Sequence, residues 1–376
     1  MTRRIRVLQV THDLGVGGLP RVVETLCRSI DPERFDVSAL CLNFGGELAE
    51  MLTADGFTVS VLEQAARKPD YLSSWRVAKF LRAGHFDVVH SHNTQPFLDA
   101  AIGTLLSDAG VLVHTDHARD FPDKLRYMVL EHLLSWRAFK VVGVSEHTTE
   151  NLNRYEWIPR RKLATIPNGI DGRLFDRAID RPAVRASLGV PEGAVVALFA
   201  SRLEAQKDVP TLLDAFVLLR DRVPALHLVV AGQGSLRESL EARATALGIG
   251  DRVHFAGVRL DIPDVLRAAD LFVLSSTWEG LPMVILEALA ARCPIVSTAV
   301  GGVPSAIEDG VSGLLVPPRD PVRLAAGIER AARDPELRRR LAERGRAVFE
   351  ERFSAAAMAR RYEALYEEGC RRRGIA

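Results

Sequence analysis

The feature that most constrains this chain is an end-to-end alternation of short β-branched runs with longer stretches of helical periodicity. Most of the runs are four to seven residues long and continuously apolar, which is typical of strands buried on both faces of a parallel sheet. The stretches between them, such as 20–29 and 209–222, place apolar residues on one helical face. The pattern predicts an α/β fold built from doubly wound parallel sheets.

The alternation occurs twice, which predicts two domains. The first series of predicted strands lies at 4–10, 36–42, 58–62, 87–91, 111–115, 140–144 and 164–166. The second series lies at 195–201, 226–231, 253–256, 271–275, 295–297 and 313–316. A polar stretch without periodicity separates them at about 170–192. We therefore expect an N-terminal domain at 1–175 and a C-terminal domain at 190–354, with ligands bound in the cleft between them, beyond the carboxyl ends of the strands.

Composition and charge exclude several classes of protein. The 49 basic and 48 acidic residues leave a net charge of +1, which argues against a nucleic-acid partner. The four cysteines are far apart, without a CxxC pair, as in proteins that keep free thiols in a reducing compartment. No apolar run reaches the length of a signal-peptide core or a membrane span. A cytoplasmic protein is expected.

A glycine-rich loop at 11–20 follows the first predicted strand and opens a helix. Such a loop lets backbone amides approach a phosphate closely, and Gly17 and Gly18 are the candidates. The loop is not the dinucleotide fingerprint, because Pro20 occupies the third glycine position and no acidic residue ends the second strand. An ordinary tight turn between strand and helix is the alternative interpretation.

Histidines are concentrated in the first half of the chain, where eight of the ten lie before residue 150. His90 and His92 are two residues apart at a strand end and therefore point the same way, and His114 and His117 close the next strand. The chain has neither an HExxH motif nor the Cys/His spacing of a zinc finger, so we expect no metal site. These side chains are expected to form local hydrogen bonds or to contact a ligand. His117 is the leading candidate for a ligand contact.

Two strand exits in the second half of the chain carry residues suited to a diphosphate. Arg202 and Lys207 follow one strand, where the planar guanidinium would bind phosphate oxygens in a bidentate manner and the ammonium would act as a point charge. Gly232 lies in a glycine-rich loop that follows the next strand. A solvated loop is the alternative for Arg202 and Lys207, and the glycine-rich loop at Gly232 is a weak signal by itself.

The most informative segment is 271–289, in which a buried strand leads through a loop to a helix. Pro282 is expected at the first helical position, so that the Met283 and Val284 amides are open to an anion. Glu279 and Glu287 flank these amides, one in the loop and one on the second helical turn. An acid that only supports the helix dipole would account for Glu279 but not for Glu287, which lies within an apolar stretch.

These residues belong to ten ordered blocks through which the chain resembles a known family. The blocks are GVGGLPRVV, DVVHSHN, HTDH, VGVSEHT, IPNGID, SRLEAQKD, AGQG, ADLFVLSS, EGLPMVILEAL and GGVPSAIEDGVSGLLVPP. The chain resembles the retaining GT-B glycosyltransferases of the family-four group, whose hallmark is a Glu, seven residues, then Glu. HTDH and VGVSEHT look most like those of bacterial exopolysaccharide or cell-envelope transferases.

The resemblance implies a role for each candidate residue, and it implies a metal-independent reaction with a nucleoside diphosphate sugar as donor. His117, Glu279, Arg202 and Lys207 would act at the reacting sugar and the diphosphate. The implied donor-binding residues are Gly17, Gly18, Gly232, Val258, Arg259, Leu281, Met283, Val284 and Glu287. Among these, Glu287 would hold the ribose, the Met283 and Val284 amides the β-phosphate, and Val258–Arg259 the base.

The sequence departs from the family's pattern in two places, and the family's architecture adds one expectation. Leu19-Pro20 stands where the family commonly has a small residue and Glu, and Glu279-Gly280-Leu281 stands where Phe-Gly often precedes Leu. In the family the final helix, here 355–376, returns to the N-terminal domain.

Three alternatives remain at this point. His117 would act as general base in an inverting transferase. A nucleotide-sugar epimerase or hydrolase would share the two-domain architecture, and a binding protein would keep the fold without catalysis. The acceptor would be a glycan, a lipid-linked molecule or a small molecule. Cations and aromatic residues at 154–162 predict at most weak contact with a membrane surface.

Overall fold

The computed structural model describes residues 3–15, 17–62, 72–117 and 122–375 of the chain. They divide into two compact units, Met1–Ile170 with Ser354–Ala376, and Asp171–Phe353. The described part of each unit contains one parallel sheet with helices between its strands, so the predicted α/β class is confirmed. Among the described residues, no helix has both the length and the apolar character that a bilayer crossing requires.

The sheet of the first unit has, in the described residues, seven parallel strands in the order β3-β2-β1-β4-β5-β6-β7. The strands are β1 (Ile5–Asp13), β2 (Phe35–Phe44), β3 (Thr58–Val61), β4 (Val88–His92), β5 (Val111–Asp116), β6 (Lys140–Gly143) and β7 (Leu163–Thr165). The helices are α1 (Gly18–Ser29), α2 (Glu47–Ala54), α3 (Ser73–Gly84), α4 (Thr94–Ser107), α5 (Leu125–Ser135) and α6 (Glu146–Tyr155). The strand order reverses between β1 and β4, which opens a ligand crevice at their carboxyl ends.

The sheet of the second unit has six described strands in the order β10-β9-β8-β11-β12-β13. They are β8 (Val195–Ala200), β9 (Leu226–Ala231), β10 (Val253–Gly257), β11 (Leu271–Leu274), β12 (Ile295–Thr298) and β13 (Leu314–Val316). The helices are α7 (Arg181–Ser187), α8 (Val209–Leu219), α9 (Arg237–Ala246), α10 (Ile262–Ala268), α11 (Met283–Ala290), α12 (Val303–Ala306), α13 (Pro321–Arg333) and α14 (Pro335–Val348). Here the order reverses between β8 and β11, so the loops that follow these two strands face the same crevice.

Burial explains why the apolar runs are continuous rather than alternating. Every residue of β4, β5, β11 and β12 is buried, because helices cover both faces of these central strands. The edge strand β3 is at most half-buried. β1 and β2 run further than predicted, because the ladder continues through the polar Thr11, opposite Cys41, and after a bulge pairs Asp13 with Phe44.

The segment expected to link the two domains is an ordered part of the second unit. That unit begins at Asp171, whereas the sequence suggested a first domain ending at 175 and a second beginning near 190. α7 lies within this segment and packs on α10. Arg181 and Arg185 form salt bridges with Asp270, and Asp270 also accepts a hydrogen bond from the Val196 amide. The polar composition of the segment reflects these ion pairs and not a solvated linker.

The final helix, α15 (Ala355–Arg373), belongs to the first unit, where it contacts α1 and β5. It buries Met358, Tyr362 and Tyr366, the apolar positions that recur at helical spacing. A π-helical turn at Phe349–Phe353 separates it from α14, and Ser354 caps its N-terminus through the Ala357 amide. The expected return of this helix to the N-terminal domain is confirmed.

Candidate active site

Two loops at the crevice of the second unit are joined to each other. The loop after β8 carries Lys207, and the loop after β11 carries Glu279. The Ser275 hydroxyl donates to the Lys207 carbonyl oxygen at 2.7 Å, and the Thr277 amide donates to the Gln206 carbonyl oxygen at 2.8 Å. Because β8 and β11 are neighbours in the sheet, two residues more than 70 positions apart become close neighbours.

Lys207 and Glu279 form a buried ion pair. The Lys207 ammonium donates to Glu279 Oε1, and the Ser276 hydroxyl donates to the same oxygen at 2.6 Å. The two residues are only 7% and 8% exposed. The sequence assigned them to different parts of the donor, whereas the structure makes each the other's electrostatic partner. The carboxylate therefore holds the ammonium in place and leaves its other two N–H groups available for an anion.

Glycines allow these loops to approach one another. Gly301, after β12, has φ of +53°, and a Cβ on it would lie 1.7 Å from the Glu279 carbonyl oxygen. Gly232 has φ of +140°, and its Cβ would lie 1.9 Å from the Ser201 carbonyl oxygen. No other residue type fits either position, because both the backbone conformation and the available space require glycine.

The helix that follows the Glu279 loop begins one residue later than predicted. Met283 is its first helical residue, and Pro282 precedes it with extended dihedrals. No side chain caps this end of the helix, and its first turn contains no acidic residue. The positive end of the helix dipole is therefore unopposed locally, as an anion site requires. Glu287 lies half-buried on the second turn.

The other donor-side candidates differ in how accessible their side chains are. Arg202 and Val258 are exposed. The Arg259 guanidinium is held by Asp261 at 2.6 and 2.8 Å and also donates to the Ser187 hydroxyl. The Leu281 side chain is 4% exposed and belongs to the core, so its backbone is the part that a ligand can reach.

In the first unit, the glycine-rich loop is supported by a second glycine pair that the sequence analysis did not single out. The Leu14 amide donates to the Gly45 carbonyl oxygen at 2.9 Å. Gly46 has φ of +82°, and a Cβ on it would lie 2.7 Å from Gly15 Cα. α1 then begins at Gly18, with Gly17 at its N-cap position and without a side-chain cap. A pair of glycines directly after a predicted strand was the signal that could have revealed this support.

His90 of β4 and Thr115 of β5 form a buried hydrogen-bond chain with two tyrosines of α15. His90 Nδ1 lies 2.6 Å from the Tyr366 hydroxyl, and His90 Nε2 lies 2.7 Å from Thr115 Oγ1. Thr115 Oγ1 in turn lies 2.9 Å from the Tyr362 hydroxyl. Burial lowers the pKa of His90 well below its usual value, so the ring is neutral. Both nitrogens of His90 are thus engaged by hydroxyl groups. His114 forms separate contacts with Ser91.

A second branch of this chain fixes the tautomer of His117. Gln9 Nε2 donates to the Tyr366 hydroxyl, so Gln9 Oε1 accepts from His92 Nε2 at 2.9 Å. Burial also keeps His92 neutral, so its Nδ1 accepts from His117 Nε2 at 2.9 Å. Within the described ranges of the chain, His117 Nδ1 is left as a buried lone-pair acceptor without a hydrogen bond of standard geometry.

Burial lowers the pKa of His117 to about 4, against a smaller opposing effect of the Asn168 side chain. The ring is therefore neutral at physiological pH, and a neutral ring of this tautomer can accept a hydrogen bond at Nδ1. Among the described residues, no group of three or more His, Cys, Asp or Glu side chains has the arrangement of a metal site.

Residues that the sequence analysis missed are mostly neighbours of those it found. Ser276 and Gln206 touch Glu279, and Gln9 and Tyr366 lead to His117 through His92. The serine pair directly after a buried strand was a usable signal for Ser276. Tyr366 was not predicted as a site residue, because nothing in its own segment indicates that its hydroxyl meets His90.

Two family models match the chain, and together they cover most of it. The model described as "Glycosyltransferase Family 4" matches residues 16–173, and "Glycosyl transferases group 1" matches residues 180–348.

Curated relatives and solved structures are similar over most of the chain. A D-inositol 3-phosphate glycosyltransferase of Geodermatophilus obscurus is 34% identical and aligns over 86% of this chain and 73% of the relative. A UDP-Gal:alpha-D-GlcNAc-diphosphoundecaprenol alpha-1,3-galactosyltransferase of Escherichia coli is 26% identical over 83% and 84%. The crystal structure of Anabaena HepE in complex with UDP-glucose has a TM-score of 0.85, covering 97% of this chain and 100% of that one at 22% identity.

Proposed function

Because this chain belongs to the family-four glycosyltransferases, we propose that it transfers a hexosyl unit from a nucleoside diphosphate sugar to an acceptor hydroxyl with retention of anomeric configuration and without a divalent cation. The family assignment predicted from the ordered motifs is confirmed by the matching family models and by the 34% identical relative. The chain is accordingly a glycosyltransferase with the GT-B fold.

The observation that carries the proposal is the buried Lys207–Glu279 pair beside the uncapped helix α11. As the anomeric carbon becomes oxocarbenium-like, negative charge develops on the departing β-phosphate. Lys207, the exposed Arg202 and the first amides of α11 supply fixed positive charge for that phosphate. Glu279 keeps the ammonium oriented through Oε1, while the contact of its Oε2 among the described residues is a long one of 3.4 Å from Gln206, which leaves room for a sugar hydroxyl.

His117 fits a positioning role better than that of a general base. Its pKa of about 4 makes the ring a weak base, far from the value near the working pH that efficient proton abstraction favours. Its Nδ1 lone pair is suited to accept a hydrogen bond from a sugar hydroxyl. This favours same-face attack, in which the leaving phosphate takes the acceptor's proton, over the inverting alternative.

The named relatives suggest which acceptors to test first. One is named for an inositol phosphate and another for a lipid diphosphate-linked sugar, and the second matches the cell-envelope or exopolysaccharide setting expected from the motifs. We propose a glycan-building enzyme of the cytoplasm, with a lipid-linked sugar as acceptor and at most weak contact with the membrane surface. The HepE complex makes uridine diphosphate sugars the first donors to test.

The test combines donor binding with product analysis. UDP-glucose, UDP-galactose, UDP-N-acetylglucosamine and GDP-mannose are screened for thermal stabilisation of the protein, since a ligand at 100 times its Kd adds about 2.7 kcal/mol. The stabilising donor is then incubated with each acceptor class in excess chelator, and the anomeric configuration of the product is read by NMR. We expect acceptor-dependent turnover, unchanged by chelation, with the donor's configuration kept.

Other outcomes identify the alternatives. Donor consumption without acceptor would indicate an epimerase or hydrolase, and binding without consumption would indicate a non-catalytic protein. Inverted product would contradict the assigned mechanism, and loss of turnover on chelation would contradict metal independence. Lys207→Met serves as the low-activity control, assayed at a temperature at which the variant is folded, because it removes the ammonium group from the diphosphate site.

A further inference from the structure

A single buried amide, that of Gln9, joins the final helix to the candidate site of the first unit. Gln9 lies on β1 and is 0% exposed. Its Nε2 lies 3.3 Å from the Tyr366 hydroxyl, and its Oε1 lies 2.9 Å from His92 Nε2. His92 Nδ1 in turn lies 2.9 Å from His117 Nε2. Within the described ranges, this path leads from α15 to the His117 ring and has Nδ1 as its last polar atom.

A neutral path of this kind can carry its protons in two directions. Burial lowers the pKa of both His92 and His117, so each ring has one N–H donor and one lone-pair acceptor. In the first direction, Gln9 Oε1 accepts from His92, and His117 donates through Nε2 to His92 Nδ1. In the second direction the Gln9 amide is turned over, His92 donates through Nδ1, and His117 carries its proton on Nδ1. The direction therefore decides whether His117 Nδ1 accepts or donates.

The orientation of the Gln9 amide selects the first direction, and Tyr366 holds that orientation. The Tyr366 hydroxyl accepts from Gln9 Nε2 and gives its own proton to His90 Nδ1 at 2.6 Å. His90 then donates through Nε2 to Thr115 Oγ1 at 2.7 Å. Turning the Gln9 amide over would require the Tyr366 hydroxyl and His90 to reverse as well, because groups in a hydrogen-bond chain polarise one another.

The position of His117 is fixed separately from its proton. Its backbone amide donates to the Asn93 side-chain oxygen at 3.1 Å. Its ring lies against the His92 ring, with the two centroids 5.2 Å apart. A reversal of the path would therefore change which hydrogen bond His117 offers to a ligand and would leave the residue in place.

We infer that Gln9 and Tyr366 are positioning residues for His117. Tyr366 orients the Gln9 amide. The amide then acts through His92 to keep a lone pair on His117 Nδ1. A site of this polarity selects a ligand group that donates a hydrogen bond, such as a hydroxyl, and discriminates against groups that only accept, such as a carboxylate or an ether oxygen. The identification of that ligand as a sugar substrate rests on the proposed function, whereas the proton arrangement does not.

The first experiment is heteronuclear NMR of the full chain with isotopically labelled histidine, at neutral pH and without substrate. The His117 signals are identified by their loss in His117→Asn. In the parent we expect a protonated Nε2 and an unprotonated Nδ1. Tyr366→Phe removes the acceptor of the Gln9 amide, and Gln9→Met removes the amide itself. Each variant should move the His117 Nδ1 signal towards the protonated form.

The matched control is Tyr362→Phe. Tyr362 lies one turn before Tyr366 on α15, is similarly buried, and has its hydroxyl 2.9 Å from Thr115 Oγ1. The variant loses a buried hydroxyl from the same helix but keeps the contact between Tyr366 and Gln9, so its His117 signals should match those of the parent. The hydrogen-bonded pair His227–His254 of the second unit, 3.0 Å apart, is the internal reference and should not change in any variant.

The second experiment separates KM from kcat with the substrates that the donor and acceptor screen identifies. Tyr366→Phe and Gln9→Met should each raise one KM about 2- to 10-fold, because one neutral hydrogen bond to the ligand is lost. The kcat per folded enzyme should change less than about twofold, because a hydroxyl contact away from the breaking bond is made in both the ground state and the transition state. The double variant should raise KM no further than either single one, since both act through the same amide.

Four results would each overturn the inference. They are a parent His117 with its proton on Nδ1, unchanged His117 signals in both Tyr366→Phe and Gln9→Met, an equal change in Tyr362→Phe, and KM effects that add in the double variant. The parent spectrum alone decides the first of these, so the inference stays testable if a variant does not fold. An unprotonated Nδ1 in a protein that transfers no sugar would contradict the proposed function and leave the proton arrangement standing.

Discussion

Replacing Lys207 by Met tests whether the buried ion pair serves both stability and donor binding. The substitution keeps an unbranched side chain but leaves the Glu279 carboxylate, 8% exposed, without its cation. Breaking a buried pair by removing one partner costs about 3–5 kcal/mol, because the remaining charge is desolvated and uncompensated. For a unit of this size, that loss corresponds to a fall in melting temperature of about 6–20 °C.

Arg202→Met is the matched control, because Arg202 is assigned to the same diphosphate but is exposed. We expect the free energy of unfolding of this variant to lie within about 0.5 kcal/mol of the parent's. Both variants should lose turnover on the order of 100-fold, since each removes one preorganised cation from the developing phosphate charge. Calorimetry on both proteins, followed by turnover measurements under conditions where both are folded, separates the contribution of each cation to stability from its contribution to turnover.

The double variant Lys207→Met with Glu279→Gln completes the cycle. Glu279→Gln replaces the carboxylate by a neutral amide, which does not require the Lys207 cation. The loss of unfolding free energy in the double variant should therefore be smaller than the sum of the two single losses by about 2 kcal/mol or more. Two results would refute the reasoning: a Lys207→Met protein that melts with the parent, or single losses that add without coupling. Parent-like turnover in Lys207→Met would remove this residue from the diphosphate site.

Three further predictions follow from local geometry. Gly301→Ala should lower the free energy of unfolding by more than about 3 kcal/mol and abolish donor binding, since its Cβ would lie 1.7 Å from the Glu279 carbonyl oxygen. Gly310, with φ of +73° and open space around it, is the control: Gly310→Ala should lower the free energy of unfolding by only about 1–2 kcal/mol in calorimetry and bind donor as the parent does. Tyr366→Phe should lower the free energy of unfolding by about 1–3 kcal/mol in urea titrations, because two buried hydrogen-bonding groups lose their partner; a change below 0.5 kcal/mol would contradict this. The pKa of His117 is about 4 in the folded protein and 6.5 as a free side chain, so the unfolded chain binds more protons between these pH values. The free energy of unfolding should therefore fall as pH drops from 6.5 to 4. His117→Asn should make that fall shallower, and an unchanged slope would count against the assignment.

The sequence determined the fold class and the candidate positions for the chemistry, because both depend on local pattern. Continuous apolar runs identified strands covered on both faces, and the residues at their carboxyl ends are where parallel sheets gather ligands. Lys207, Glu279 and His117 were found in this way, and the structure places Lys207 and Glu279 at the crevice of the second unit, beside the reversal of strand order, and His117 just after β5.

Tertiary structure alone decided which of these residues act on one another. The contact between Lys207 and Glu279 depends on β8 lying beside β11, and a strand order is set by long-range packing that no local pattern records. In the same way, the hydrogen-bond chain from Tyr366 to His117 exists because α15 packs against β4 and β5. Tyr366 and His117 are more than 240 positions apart in the sequence. Charge, burial and the protonation of a histidine follow from such neighbours, because desolvation and hydrogen bonding act through space and not along the chain.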